Sequence, residues 1–274
     1  RWPPSTPPAC QTGRLMPDVL RLAVGTLTRL PVPAPRRVDR HVAGSAMLLA
    51  PFVGAVLALV VGLLTQVAAD RLPARVPPLL LAALAVAALA WLTRALHLDG
   101  LAATADALGS GRPADQALVI ARRSDIGPFG VVTLVLVLLV QVAALSGLVA
   151  DGHSVLGLVV AAGTARLGIT MACTHGIPAA RPDGLGAAVA GTVPVAATIA
   201  VGLIWLGACA AVTAVLVPGA TVAVITAIAG ALLAAAVILV ICTRRLGGIT
   251  GDVLGAIVEL TFTVGLVILV AVPS

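Results

Sequence analysis

Two pairs of carboxylates recur at one interval in this chain. Asp99 and Asp106 lie seven residues apart, and so do Asp252 and Glu259. Seven residues make about two helical turns, roughly 10 Å, and leave both members of a pair on one face. Acids aligned in this way suit a hard divalent cation such as Mg²⁺, which takes oxygen ligands and keeps water or phosphate in its remaining positions. The alternative for the first pair is a solvated helix end carrying a few acids. For the second it is a flexible connection followed by a helix with one buried acid. Against that alternative, Glu259 lies about two turns inside an apolar run, where an unpaired carboxylate is costly.

Cations and glycines accompany these acids. Arg94 and His97 precede Asp99, and Arg244, Arg245, Gly247, Gly248 and Gly251 precede Asp252. Glycines let a backbone approach a ligand closely and can present N–H groups to phosphate at a helix start. Arg122 and Arg123 stand with Asp125 before an apolar run, where they could clamp a pyrophosphate or simply anchor a span on the cytoplasmic side. Arg181, Asp183 and Gly184 form a turn signal with an adjacent charge pair. Metal, acids and arginines together point to phosphoryl transfer. His41, His153 and His175 have no metal-ligand spacing, and Cys10, Cys173, Cys209 and Cys242 form no Cys-x-x-Cys pair and read as apolar fillers.

The elements that must hold these groups are membrane helices. The chain is 60% hydrophobic and 10% charged, whereas a soluble domain is about half apolar and a quarter charged. The excess lies in charge-free runs such as 131–150 and 193–241. A bilayer core needs about 20 apolar residues per helix. The expected fold is therefore an all-α polytopic transmembrane bundle with about seven spans, near 44–66, 77–96, 129–150, 154–173, 193–217, 221–242 and 252–272. Residues 19–30 read as an amphipathic helix along the membrane surface. Residues 1–15, rich in Pro, Thr and Arg, read as a disordered or artificial extension before Met16, and 16–274 as one transmembrane catalytic domain. Every basic residue is Arg, and Lys, Asn and Tyr are absent, as in a high-G+C bacterial gene. With seven spans, Arg71 and Arg75 stand on one side, and the other connections carry the arginine excess that marks the cytoplasm.

Several segments together resemble the cobalamin synthase (adenosylcobinamide-GDP ribazoletransferase) family. They are Thr28-Arg29-Leu30-Pro31-Val32-Pro33, Pro51-Phe52-Val53-Gly54, His97-Leu98-Asp99-Gly100-Leu101-Ala102 with Thr104-Ala105-Asp106, and Ile126-Gly127-Pro128-Phe129-Gly130. Arg181-Pro182-Asp183-Gly184-Leu185-Gly186 and the run from Gly247 to Ala256 complete the set, in the family's order over about residues 20 to 265. The family pattern has Asp where this chain has Ala103, often has Asp-Ser-Arg where it has Arg123-Ser124-Asp125, and often a second Glu where it has Phe262. The resemblance implies a membrane transferase of cobalamin biosynthesis, in which a ribose hydroxyl of α-ribazole, or of its 5′-phosphate, displaces GMP from adenosylcobinamide-GDP. It also implies Mg²⁺ as cofactor, held by Asp99, Asp106, Asp252 and Glu259. Asp99, Asp106 and Glu259 become catalytic candidates, with Glu259 either ligand or base. Arg94, Arg244 and Arg245 become phosphate contacts, Arg181 and Asp183 contacts to a ribose or base, and His97, Arg123 and Asp125 further substrate contacts. Its expected setting is the bacterial cytoplasmic (inner) membrane, multi-pass, with the active site facing the cytoplasm. The expected partners are the two substrates and the lipid bilayer, with no nucleic acid and with room for a homo-oligomer.

Three rival readings remain at this level. A phospholipid-making transferase of the CDP-alcohol type uses similar metal logic, but its paired Asp signature is absent. An ion-coupled transporter would use Glu259 as a cation site, against which stands the charge-poor far side. A non-catalytic membrane subunit is compatible with Ala103 in place of an acid.

Overall fold

Caps and prolines set where the helices begin. The computed structural model describes residues 12–272, and among them no strand occurs, only two isolated bridges. Helix α1 spans Thr12–Leu27 and α2 spans Arg40–Arg71. Asp39 caps α2 by accepting the Val42 N–H at 2.9 Å, and that bond chiefly holds its carboxyl below the usual range. Helices α3 (Pro78–Leu92) and α6 (Pro128–Ala150) start on proline, whose fixed φ suits a first turn. The remaining helices are α4 (Leu96–Gly109), α5 (Ala114–Ile120), α7 (Ser154–Ala172), α8 (Gly184–Val189), α9 (Val195–Leu216), α10 (Thr221–Leu246) and α11 (Gly251–Ala271).

Helix α7 is the buried centre, packed against α2, α10 and α11. Helix α11 packs in turn against α4 and α6. Helix α9 lies outermost: only Trp205, Cys209 and Thr213 are buried, and its other faces offer Leu203, Ile204 and Val212 to lipid. The expected amphipathic segment at 19–30 becomes the second half of α1, with Val19, Ala23 and Leu27 buried at helical spacing and the helix packed on α2. Most of the expected N-terminal extension, residues 1–11, lies outside the described residues. Cys173, Cys209 and Cys242 are free and buried, as expected of fillers, and Cys10 lies outside the described residues.

Among the described residues, six helices are long and apolar enough to cross a bilayer, and a seventh is counted if α3 and α4 make one bent span. The span expected at 77–96 therefore needs correction. Helix α3 has 15 residues, about 22 Å of rise against a hydrocarbon core of about 30 Å. The chain then breaks at Arg94 and Ala95, both with positive φ, and α4 leaves at 89°. The Asp99–Asp106 segment thus runs across the bundle instead of prolonging a span. Ser154 ties the start of α7 to Gln66 near the end of α2 at 2.8 Å, which marks one end of the bundle. The segments 28–39, 93–127, 173–194 and 247–250 gather at the other, where Asp99, Asp183, Asp252 and most arginines stand.

Candidate active site

Helices α4 and α11 cross with their backbones in contact. A Cβ added at Gly100 would lie 2.7 Å from the Asp252 carbonyl oxygen and 3.1 Å from the Gly255 Cα. One added at Gly255 would lie 2.9 Å from the His97 carbonyl oxygen. Only glycine fits at either position. Asp99 adjoins Gly100, and Asp252 stands one turn before Gly255, so the crossing brings these two carboxylates into one cleft. Thr250 caps α11, its hydroxyl accepting the Val253 N–H at 3.2 Å and standing 3.3 Å from an Asp252 carboxylate oxygen.

A loop closes the cleft from above. Ala179 pairs with Ile249 as a parallel bridge, with Ile249 N–H donating to Pro178 at 2.9 Å and Ala180 N–H donating to Ile249 at 2.9 Å. Gly248 permits this: its φ is 156°, and a Cβ there would strike the Pro178 carbonyl at 2.3 Å. The bridge aims Arg181 inward. Its Nη2 donates to the Leu118 carbonyl at 2.9 Å, and its Nη1 lies 3.8 Å from Asp252. Burial pulls its guanidinium below the usual value and the Asp252 carboxylate pulls it back up. Across the opening, Arg122 is ion-paired with Asp183. The cleft, with its open mouth, encloses about 1080 Å³. Three carboxylates, of Asp99, Asp183 and Asp252, and two guanidiniums, of Arg122 and Arg181, surround this space, which can hold a polyphosphate and a divalent cation.

The predicted residues divide between this cleft and other places. Asp99, Asp252, Arg181, Asp183 and His97 line it. Asp106 does not. Its carboxylate accepts the Gly127 N–H at 2.7 Å and the Gly130 N–H at 2.8 Å, fixing the start of α6. Glu259 does not either. It sits deeper, accepting from Gln141 Nε2 at 2.9 Å in a small inner cavity also lined by Arg166. The reason is common to both. Seven residues keep one face, yet they also advance about 10 Å along the axis, while ligands of one Mg²⁺ stand about 2 Å from it. The second acid of each pair is therefore displaced, sideways to the start of α6 for Asp106 and deeper into the bundle for Glu259, and only the first acid of each pair reaches the cleft. Among the described residues, no three His, Cys, Asp or Glu side chains gather as a metal cluster.

The expected phosphate cations also move. Arg94 donates to the Gly25 and Thr28 carbonyls at 2.8 and 3.2 Å, so it caps the end of α1. Arg244 and Arg245 are exposed at the C-terminus of α10, where cations favour the helix dipole. Arg123 and Asp125 are exposed outside the cleft. Arg122, the neighbour of Arg123, lines it instead. His97 is buried between the cleft and the inner cavity, and its Nε2 has no partner among the described residues. Sequence reasoning missed Arg166. It lies in α7, packed where only a glycine at position 54 leaves room for its side chain, and lines the inner cavity with Glu259. An arginine in the middle of an apolar run was the available signal.

Comparison with known proteins follows the same segments. Residues 19–270 match the family described as cobalamin-5-phosphate synthase. A Frankia casuarinae protein named adenosylcobinamide-GDP ribazoletransferase is 42% identical over 263 residues, covering 91% of this chain and 93% of its own. A Nocardioides protein of the same name is 41% identical over 245 residues, covering 89% and 95%. One from Bradyrhizobium diazoefficiens is 37% identical over 254 residues, covering 91% and 92%. No solved structure matches.

Proposed function

We infer the reaction from one premise: this chain belongs to the cobalamin-5-phosphate synthase family. It is a membrane phosphotransferase that joins adenosylcobinamide-GDP to α-ribazole or its 5′-phosphate, yielding adenosylcobalamin or its 5′-phosphate and releasing GMP. The observation that carries the reading is the single cleft in which Asp99, Asp252, Arg122 and Arg181 meet. Neither a phospholipid transferase nor a transporter is favoured by the match.

In the transfer, a ribose hydroxyl oxygen attacks the cobinamide-side phosphorus. A P–O bond forms there, the P–O bond to GMP breaks, and the hydroxyl proton is released. The pyrophosphate's own charge repels the nucleophile, so the site must neutralise it while aligning the two ends. Arg181 is anchored for that task by its bond to Leu118, and Arg122 stands across the opening. Asp99 and Asp252 would hold Mg²⁺. One or two carboxylates are what Mg²⁺ commonly takes from a protein when substrate phosphates complete its shell, and the α4–α11 crossing supplies two. Mg²⁺ bound there would screen the pyrophosphate and the departing GMP. The arginine bias supports a cytoplasm-facing cleft in the bacterial inner membrane. The test is purified protein in detergent with adenosylcobinamide-GDP, α-ribazole and Mg²⁺. Cobalamin and GMP are expected without any gradient; substrate flux into sealed vesicles without product would overturn the reading.

A further inference from the structure

Arg122, Arg181 and Asp183 face two spaces at once. They line the cleft, and they also line an outer groove of about 540 Å³. The groove's other walls are apolar: Leu118 and Val119 of α5 on one side, Ala180 and Pro182 on the other. The bond from Arg181 to the Leu118 carbonyl ties these two walls together. The three charged residues thus form a sill between the cleft that holds the Asp99 and Asp252 carboxylates and an apolar slot. A nucleotide has the matching layout, with an apolar ring face, a polar ring edge and anionic phosphates at one end.

We propose that the outer groove is the subsite for the guanosine of the leaving GMP, with Asp183 reading the guanine edge and Arg122 and Arg181 holding the pyrophosphate over the sill. This rests on the reading of the chain as a ribazoletransferase acting on a GDP-activated substrate. Guanine carries adjacent N–H donors at N1 and N2, and an ionised carboxylate is a pure acceptor with two oxygens to meet them. Adenine presents an acceptor and a donor on the corresponding edge, so it matches poorly. Asp183 is occupied by Arg122 in the unliganded chain, but both side chains are more than half exposed, at 60% and 53%. Such a screened pair is cheap to break. Phosphate arriving at the sill takes Arg122 and releases the carboxylate to the base. Arg181, with a side chain only 14% exposed, stays in place.

Direct binding of GDP, IDP and ADP to the detergent-purified chain tests the assignment. Inosine lacks the N2 donors, so the order GDP, IDP, ADP is expected, with GDP at least about tenfold tighter than ADP. Asp183→Asn should bring GDP and ADP within about twofold while ADP affinity holds. Val119→Trp, which fills the groove from an exposed position, should weaken all three nucleotides. An undiminished GDP preference in Asp183→Asn, or no preference in the parent chain, would overturn the subsite. Transfer is assayed separately. Cobalamin formation with a GDP preference indifferent to Asp183 overturns the subsite alone, and an Asp183-dependent preference without cobalamin overturns the reaction alone.

Discussion

Replacing Gly100 by alanine puts one methyl group at the crossing that brings Asp99 and Asp252 together. That carbon would sit 2.7 Å from the Asp252 carbonyl oxygen and 3.0 Å from the Asp252 Cα. Both are backbone atoms and cannot rotate aside. Ordinary contacts begin near 3.4 Å, so α4 and α11 must part by about 0.7 Å. Misplacing reacting groups by about 1 Å costs roughly a hundredfold in rate. Overpacking of this size costs about 1–3 kcal/mol of stability, which leaves a bundle of this size folded. The expected result is GMP release slowed by about 10- to 100-fold, with a raised Mg²⁺ requirement and a modest fall in melting temperature. Gly207→Ala on α9 is the control, because its new Cβ meets nothing within 4 Å. It should be neutral or slightly stabilising. If Gly100→Ala transfers within about twofold of the parent at an unchanged Mg²⁺ requirement, the crossing does not set the distance between the acids and the argument for a shared site fails.

Asp99→Asn and Asp252→Asn should each lower transfer by at least about a hundredfold in an otherwise folded chain, measured as GMP release across a Mg²⁺ series; retained activity removes the metal assignment. Asp106→Ala should behave differently, losing roughly 2–3 kcal/mol of stability because two N–H groups at the start of α6 lose a charged acceptor. Thermal unfolding reads that loss, and an unchanged melting curve with a shifted Mg²⁺ requirement would return Asp106 to the metal. Glu259→Ala takes from the buried Gln141 Nε2 its carboxylate acceptor and should cost about 1–3 kcal/mol, read by thermal unfolding; an unchanged melting curve would show that this inner hydrogen bond does not stabilise the bundle. Ala103→Asp adds a third carboxylate one turn after Asp99 and should lower the Mg²⁺ needed for half-maximal transfer; an unchanged Mg²⁺ curve would show that this position faces elsewhere.

The membrane helices were legible in the sequence because hydrocarbon thickness imposes a length that composition reveals. Six of the seven expected spans have a helix of sufficient length near the expected boundaries. Asp99 and Asp252 were legible for a different reason. Each sits next to a glycine in the first turn of a helix, and a carboxylate there has few bland uses. What could not be read was how α4 and α11 meet. The interval of seven fixes a face but not a depth. The depth came from Gly100 and Gly255, whose closeness across about 155 residues of chain is a tertiary fact. A pattern along one helix therefore suggested two metal faces where the crossing supports one site made from the first acid of each pair.

The cations show the same limit more sharply. Arg122 and Arg123 have the same local signature, yet the turn after α5 sends one to the cleft and the other to solvent. Arg94 carries the clearest structural role of all. Arg94 and Ala95 hold φ of 57° and 52°, a left-handed conformation costing non-glycine residues about 1–2 kcal/mol each. That strain persists because the Arg94 guanidinium is fixed on the Gly25 and Thr28 carbonyls and the Arg29 N–H donates to Leu92 at 2.6 Å. The break they maintain turns α4 by 89° from α3 and carries it across the bundle to α11. A straight continuation would keep Gly100 from reaching Gly255. Arg94 thus serves the site from outside it, holding the bend that lets one helix deliver Asp99 to Asp252.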